Sequence, residues 1–336
     1  MKKNYKANIA ILILVSLIIM YFIMKDNFNE IVDNLIHANI LFLLVAFILM
    51  ILNVIFQSFS MHLYLKEIDP NYKFKDTVVL MFTALLFNAI TPFSSGGQPF
   101  QIYLLNKQGI KITESTNALL QNFLSYQLAL IILGTLAIIA NSYLVVLPET
   151  SVLKNIVIIG FVVNMLVLII LILLGKAKNL NTKVFNKIFN FVFSFKFIKN
   201  REVLKEKATR KIDEFYESSN YFKHNKFIFV KAVIYNAISL LLLYSIPLFI
   251  FYSVGELESL TLTDSIICSS YTYFIGSFVP IPGGTGGLEY AFLEFFRGFT
   301  SNTIISTCMI LWRFATYYFP MFLGIGSLMF VKKKVE

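Results

Sequence analysis

Two stretches of this chain set glycine, proline and neutral polar residues inside apolar surroundings, a combination that lets the backbone itself hold a ligand. The first reads Thr91-Pro92-Phe93-Ser94-Ser95-Gly96-Gly97-Gln98-Pro99-Phe100-Gln101. The second reads Val279-Pro280-Ile281-Pro282-Gly283-Gly284-Thr285-Gly286-Gly287-Leu288-Glu289. Ser94, Ser95, Gln98 and Gln101 offer side-chain hydrogen bonds, and Gly96 and Gly97 permit positive φ and close backbone approach. Gly283, Gly284, Thr285, Gly286 and Gly287 offer the same backbone freedom in the second stretch. N–H groups exposed at such breaks, with the N-termini of half-helices, make a site for an anion such as a lipid phosphate. The competing reading is close helix packing, which small residues also serve.

Charges add to this pattern. Glu289 opens the segment after the second break, Glu294 and Arg297 follow it, and Arg313 lies ten residues into the last apolar run. A charge embedded in a membrane is costly, so it faces a cavity and pairs. Arg313 is therefore expected to pair with Glu289 or Glu294, or to grip a lipid phosphate directly. Arg297 suits a snorkelling position near an interface. Other chemistries leave no trace: there is no HExxH, no CxxC, no nucleophile triad and no phosphate-binding GxxxxGK[ST]. The run 283–287 lacks the Lys-Ser/Thr that a nucleotide loop needs. His37, His62 and His224 are scattered, and Cys268 and Cys308 lack ligand spacing, so neither a metal nor a cofactor is expected.

The elements that must position these residues are membrane helices. Of 336 residues, 57% are hydrophobic and only 14% charged, and long uncharged runs demand a lipid solvent. The net charge of +10 does not point to nucleic acid, because the basic residues cluster between apolar runs, as orientation requires. Runs long enough to cross are Ile9–Met24 (read as a retained signal anchor), Ile40–Phe59, Ala118–Ala140, Ile156–Leu174, Ile228–Tyr252 and Thr303–Val331. Three shorter ones, Val78–Ile90, Ile266–Val279 and Gly287–Phe296, flank the two breaks.

Charge placement puts Lys2, Lys3 and Lys6 in the cytoplasm, 25–39 outside, and Lys66, Lys73, Lys75, Lys107 and Lys111 inside again. The stretch 78–106 then reads as a re-entrant hairpin from the inside, and 266–297 as one from the outside. The basic stretch 175–227 carries thirteen Lys/Arg against five Asp/Glu and reads as a cytoplasmic loop; its Val184, Phe185, Ile188, Phe189, Val192 and Phe193 suit a helix lying in the interface. The expected fold is all-α: a single polytopic membrane domain, 1–336, with six full spans and two broken-helix hairpins. Repeats 1–150 and 151–336 would be inverted, Pro92 matching Pro280 and Gln101 matching Glu289, with both termini cytoplasmic in the plasma membrane. The alternative is eight ordinary spans, with the breaks as kinks. Paired breaks in corresponding halves point to a transport site.

On the residues of these two breaks, Thr91-Pro92 to Gln101 and Pro280 to Glu289, the chain resembles the lysylphosphatidylglycerol synthase transmembrane-domain family, also called flippase-like. That family includes the membrane half of the bacterial multiple peptide resistance factor and stand-alone proteins linked to lipid or polyprenyl-linked sugar handling. The resemblance covers nearly the whole chain. It implies a flippase-like function, moving a phospholipid or polyprenyl-phosphate-linked lipid between leaflets, with membrane lipids as partners. The alternative it implies is lipid aminoacylation of the phosphatidylglycerol lysyltransferase type, tied to cationic peptide resistance, with Glu289 as the candidate base. The family's lysyl transfer belongs to a soluble C-terminal domain, for which a chain ending at Glu336, after its last apolar run, leaves no room. A third reading is a membrane partner of a separate synthase or glycosyltransferase. A homo-oligomer is compatible with all three.

Overall fold

The computed structural model describes residues 27–147, 151–176, 226–276, 279 and 281–331. The expected first span, Ile9–Met24, and all but the edges of the basic loop 175–227 lie outside the described residues, as does Pro280. The helices are, in chain order, α1 (Phe28–Ile36), α2 (Ile40–Ile68), α3 (Phe74–Ala89), α4 (Gly97–Lys107), α5 (Ile112–Leu144), α6 (Ser151–Lys176), α7 (Lys226–Ser253), α8 (Leu262–Gly276), α9 (Gly287–Phe296), α10 (Asn302–Arg313) and α11 (Phe319–Ser327). No strand occurs among the described residues.

Lipid offers no hydrogen bonds, so a crossing segment must satisfy its backbone internally, and a helix does so. Among the described residues, five segments are long and apolar enough to cross: α2, α5, the 155–172 part of α6, α7, and 302–330, where α10 and α11 join. They correspond to the last five of the six expected spans. The 29 residues of α2 rise roughly 43 Å at 1.5 Å each, more than the hydrocarbon core of about 30 Å. The protein is an all-α polytopic membrane protein.

The two breaks fold as helical hairpins. In the first, Gly97 N–H donates to Asn88 Oδ1 at 2.8 Å, the Phe87 and Phe100 rings stack at 3.6 Å, and the Gln101 amide reaches the Met81 sulfur at 3.2 Å. Each step away from the turn on α3 is matched by one on α4, which is antiparallel pairing. In the second, a Cβ on Gly276 would touch Leu288, and Cys268 Sγ donates to the Phe295 carbonyl at 3.4 Å. The arms are too short to cross: α4 has 11 residues and α9 has 10, roughly 15–16 Å each.

The hairpins enter from opposite ends of the bundle. The open end of the first packs on the C-terminal part of α2, where Phe59 stacks on Phe74 at 4.5 Å and His62 Nδ1 meets Thr77 Oγ1 at 2.9 Å. The N-terminal end of α2 is tied to the end of α7 by the Asn39 N–H, which donates to the Ser253 carbonyl at 2.7 Å. The open end of the second hairpin is anchored there, because Thr300 Oγ1 donates to Glu256 Oε1 at 2.7 Å. The two tips pack against each other between these ends.

The structure adds three features that the apolar runs do not show. Within 25–39, which the charge pattern places outside, α1 forms a short helix and buries Ile31 against α10. The last run is not one regular helix: Pro320 has no N–H to donate back along the helix, and a π turn at Phe314–Tyr318 joins α10 to α11. In α7, Pro247 interrupts the ladder, and the nearby Tyr244 carbonyl accepts from Ser265 Oγ at 2.7 Å.

The fit of α11 on α3 yields a stability test. A Cβ on Gly324 would lie 2.8 Å from the Phe82 carbonyl oxygen and 3.0 Å from the Leu86 nitrogen, whereas one on Gly326 meets nothing within 4 Å. Gly324→Val is expected to lower stability by about 1–3 kcal/mol through overpacking, read as a lower thermal midpoint in detergent. Gly326→Val leaves that midpoint within about 0.5 kcal/mol of the parent.

Candidate functional site

Each hairpin tip turns on a proline followed by two left-handed residues. Phe93 and Ser94 follow Pro92 with φ of 54° and 50°; Gly283 and Gly284 follow Pro282 with φ of 65° each. This shared path aligns Pro92 with Pro282, and the helix starts Gly97 and Gly287 then also fall in register. The expected match of Pro92 with Pro280 is thus corrected by two residues, and Gln101 no longer corresponds to Glu289. A left-handed conformation costs a non-glycine residue roughly 1–2 kcal/mol, so Phe93 and Ser94 hold strain at the first tip.

The second tip is fastened by a buried ion pair. Arg313 Nε lies 2.7 Å from Glu289 Oε1, with both side chains more than nine-tenths buried. Arg313 Nη2 donates to the Gly283 carbonyl at 3.0 Å, and Glu289 Oε2 accepts the Gly286 N–H at 2.6 Å. Of the two expected partners of Arg313, the structure selects Glu289. Glu294 instead pairs with Arg297 at 3.0 Å, where the arginine is exposed. The guanidinium lies 4.7 Å from the centre of the Tyr317 ring, and the Tyr317 hydroxyl donates to the Ala89 carbonyl at 2.9 Å, at the end of α3. Tyr317 therefore links the two hairpins. Its ring fills the place where a Cβ on Gly283 would sit, only 2.1 Å away. The φ of 65° and this contact together require glycine at 283.

Most loop N–H groups expected to face an anion are spent inside the loops. Gly96 donates to Thr91 Oγ1 at 2.8 Å, Gly97 to Asn88, Gly284 to the Ile281 carbonyl at 2.9 Å, and Gly286 to Glu289. Ser95 Oγ likewise turns to the Pro92 carbonyl, and Thr285 Oγ1 to the Pro282 carbonyl.

Behind the tips lies a cavity of about 500 Å³. Of the expected site residues it is lined by Ser94, Gln98, Gln101, Gly283 and Gly284. Ser95, Gly96, Gly97, Thr285, Gly286, Gly287, Glu289, Glu294 and Arg313 lie outside its lining; most of them build the tips. The sequence reading missed the amides on the surrounding helices: Gln57 of α2, Asn88 of α3, Asn122 and Gln127 of α5, Asn164 of α6 and Asn236 of α7. They are cross-linked. Gln127 Nε2 donates to Asn164 Oδ1 at 2.7 Å, Asn236 Nδ2 to Ser60 Oγ at 2.8 Å, and Ser60 Oγ to Asn122 Oδ1 at 2.7 Å. Gln57 Nε2 donates to Asn53 Oδ1 at 3.0 Å, and Asn53 reaches Ser239 at 2.8 Å. Tyr126, Tyr273, Phe93 and Phe123 add rings to the wall, and Met81, Leu85, Leu119, Leu130, Val167 and Leu288 add aliphatic surface. Among the described residues, no lysine, arginine, histidine, aspartate or glutamate lines it, and no cluster of metal-ligating residues occurs.

The ion pair gives a sharp test. Arg313→Gln leaves the Glu289 carboxylate buried without its cation, a loss of about 3–5 kcal/mol. The double variant Glu289→Gln/Arg313→Gln removes both charges and recovers at least half of that loss. Thermal unfolding of the detergent-solubilised variants measures both.

Comparison with known proteins agrees with this architecture. The family model described as the lysylphosphatidylglycerol synthase TM region matches residues 9–324. A UPF0104 membrane protein of Methanocaldococcus jannaschii is 24% identical over 356 aligned residues, covering 100% of this chain and 98% of that protein. The chain belongs to the family of the lysylphosphatidylglycerol synthase transmembrane region.

Proposed function

We propose that this protein moves a lipid between leaflets, in the manner of a flippase. The observation that carries the reading is the meeting of two broken-helix tips, one from each end of the bundle, beside a polar cavity walled by long apolar helices. Irregular backbone at membrane depth persists only where protein buries it or water reaches it. Here protein satisfies the tips, and the cavity behind them offers polar groups to a head group while the acyl chains stay in lipid. The opposed hairpins fit two inverted halves, 1–150 and 151–336. Rocking one half against the other would expose the cavity to each side in turn. The charge pattern supports cytoplasmic termini and a place in the plasma membrane. The sequence carries no nucleotide-binding signature, so movement would be passive or ion-coupled.

The family description also names a synthase, but the cavity favours transport over transfer chemistry. Among the described residues, its lining holds no carboxylate, imidazole or thiol. Glu289, the expected base, has one oxygen on Arg313 and the other on the Gly286 N–H.

Reconstitution into liposomes carrying fluorescently labelled phospholipid tests the proposal. Dithionite bleaching of the inner-leaflet pool is expected to quicken several-fold over protein-free liposomes, with no chemical change in the lipid. Gly283→Val, which drives a side chain into Tyr317, is expected to remove most of the gain. A bleaching rate equal to that of protein-free liposomes, with the protein folded, would overturn the reading. A changed head group would establish an enzyme instead.

A further inference from the structure

The wall says more about the cargo than the two tips do. Among the described residues, no cationic side chain in the lining would meet a phosphate entering the cavity, and the N–H groups of Gly96, Gly97, Gly284 and Gly286 are already donated. A lysyl ammonium would find no carboxylate there, and burying an unpaired charge is far more costly than burying a hydroxyl that finds a partner. Arg313, fastened to the Gly283 carbonyl of the lining, is paired with Glu289. The polar groups of the lining are chiefly eight amides, set among aromatic and aliphatic side chains. Amides both donate and accept, which matches hydroxyl groups, themselves donors and acceptors.

Asn236 sits in the cavity wall, held by donation from Nδ2 to Ser60 Oγ at 2.8 Å, and Ser60 Oγ donates in turn to Asn122 Oδ1 at 2.7 Å. One buried hydroxyl thus fixes two amides of the wall, and replacing Asn236 removes one of them.

Building on the lipid-translocation reading, we infer that the cavity receives an uncharged, hydroxyl-bearing head group, bound by the amides of its wall, Asn236 among them. Two lipid sources carry this chemistry: the terminal glycerol of phosphatidylglycerol, whose phosphate would stay outside the cavity, and the sugar of a glycosyl lipid. Lysyl esterification of that glycerol blocks a hydroxyl and adds a cation, so it is the substitution the cavity should reject.

The test is retention of lipids by the purified full-length protein in native mass spectrometry, a binding readout that does not depend on leaflet exchange. The probes are phosphatidylglycerol, glucosyl-diacylglycerol, lysyl-phosphatidylglycerol and phosphatidic acid. At least one of the first two is expected to be retained about tenfold better than either of the last two, and which one it is identifies the source. Asn236→Leu is expected to shrink that ratio towards one, because loss of one hydrogen bond is worth about tenfold in affinity. Equal retention of all four lipids, or a preference for the lysyl lipid or phosphatidic acid, would overturn the inference. So would a folded Asn236→Leu protein with an unchanged ratio. If that variant does not fold, the panel on the unaltered protein decides. A failed exchange assay with the expected retention pattern would sink transport and leave the head-group assignment standing.

Discussion

The buried pair of Arg313 and Glu289 is the contact on which the arrangement of the two tips depends. An isolated charge inside a membrane protein costs several kcal/mol, so each of these residues is tolerable only because of the other. Having paired, they reach outward. Arg313 takes the Gly283 carbonyl and Glu289 the Gly286 N–H, so one ion pair satisfies two polar groups of a loop that has no helical ladder. Tyr317 carries the constraint onward, from its place under the guanidinium to the Ala89 carbonyl of the first hairpin. This chain of contacts adds to the direct packing of one tip on the other.

The remaining polar groups fall into a pattern with a physical cause. The first tip has no ion pair and leans on neutral groups, with Thr91 and Asn88 taking the Gly96 and Gly97 amides. The amides of α2, α5, α6 and α7 bond across helices, which helps hold helices together where the hydrophobic effect cannot. These bonds also fix their side chains around the cavity, so its wall is preorganised. A preorganised, uncharged and hydroxyl-compatible wall favours a lipid head group over an ion or a reactive intermediate, and it is the basis on which transport is preferred to catalysis.

Much of this was legible in the sequence. The lengths of the apolar runs gave the long helices, because 18 or more residues without charge have no stable home in water. The glycine- and proline-rich breaks gave the hairpins and both tips. The rule that embedded charges pair gave Arg313 a carboxylate partner, but Glu289 and Glu294 lie close together in sequence and only the fold separates them. The repeat register slipped by two because Pro280 and Pro282 both offered a match to Pro92, and the deciding signal was a pair of left-handed residues invisible in composition. The amide wall was missed for a different reason. One or two asparagines or glutamines in a long apolar run do not disturb a helix signal, and Asn122, Gln127, Asn164 and Asn236 become a site only when three segments converge. Their presence in otherwise apolar runs was the available cue.

The central claim is that backbone from both halves meets deep in the bilayer around a polar hollow of head-group size. A cryo-EM map of the protein in lipid nanodiscs tests this most directly, since it shows the bilayer and the chain together. The account predicts the 92–97 and 281–287 loops in contact near the bilayer midplane, with head-group density beside Asn236. Loops lying apart, or both at the water surface with tightly packed helices between them, would contradict it.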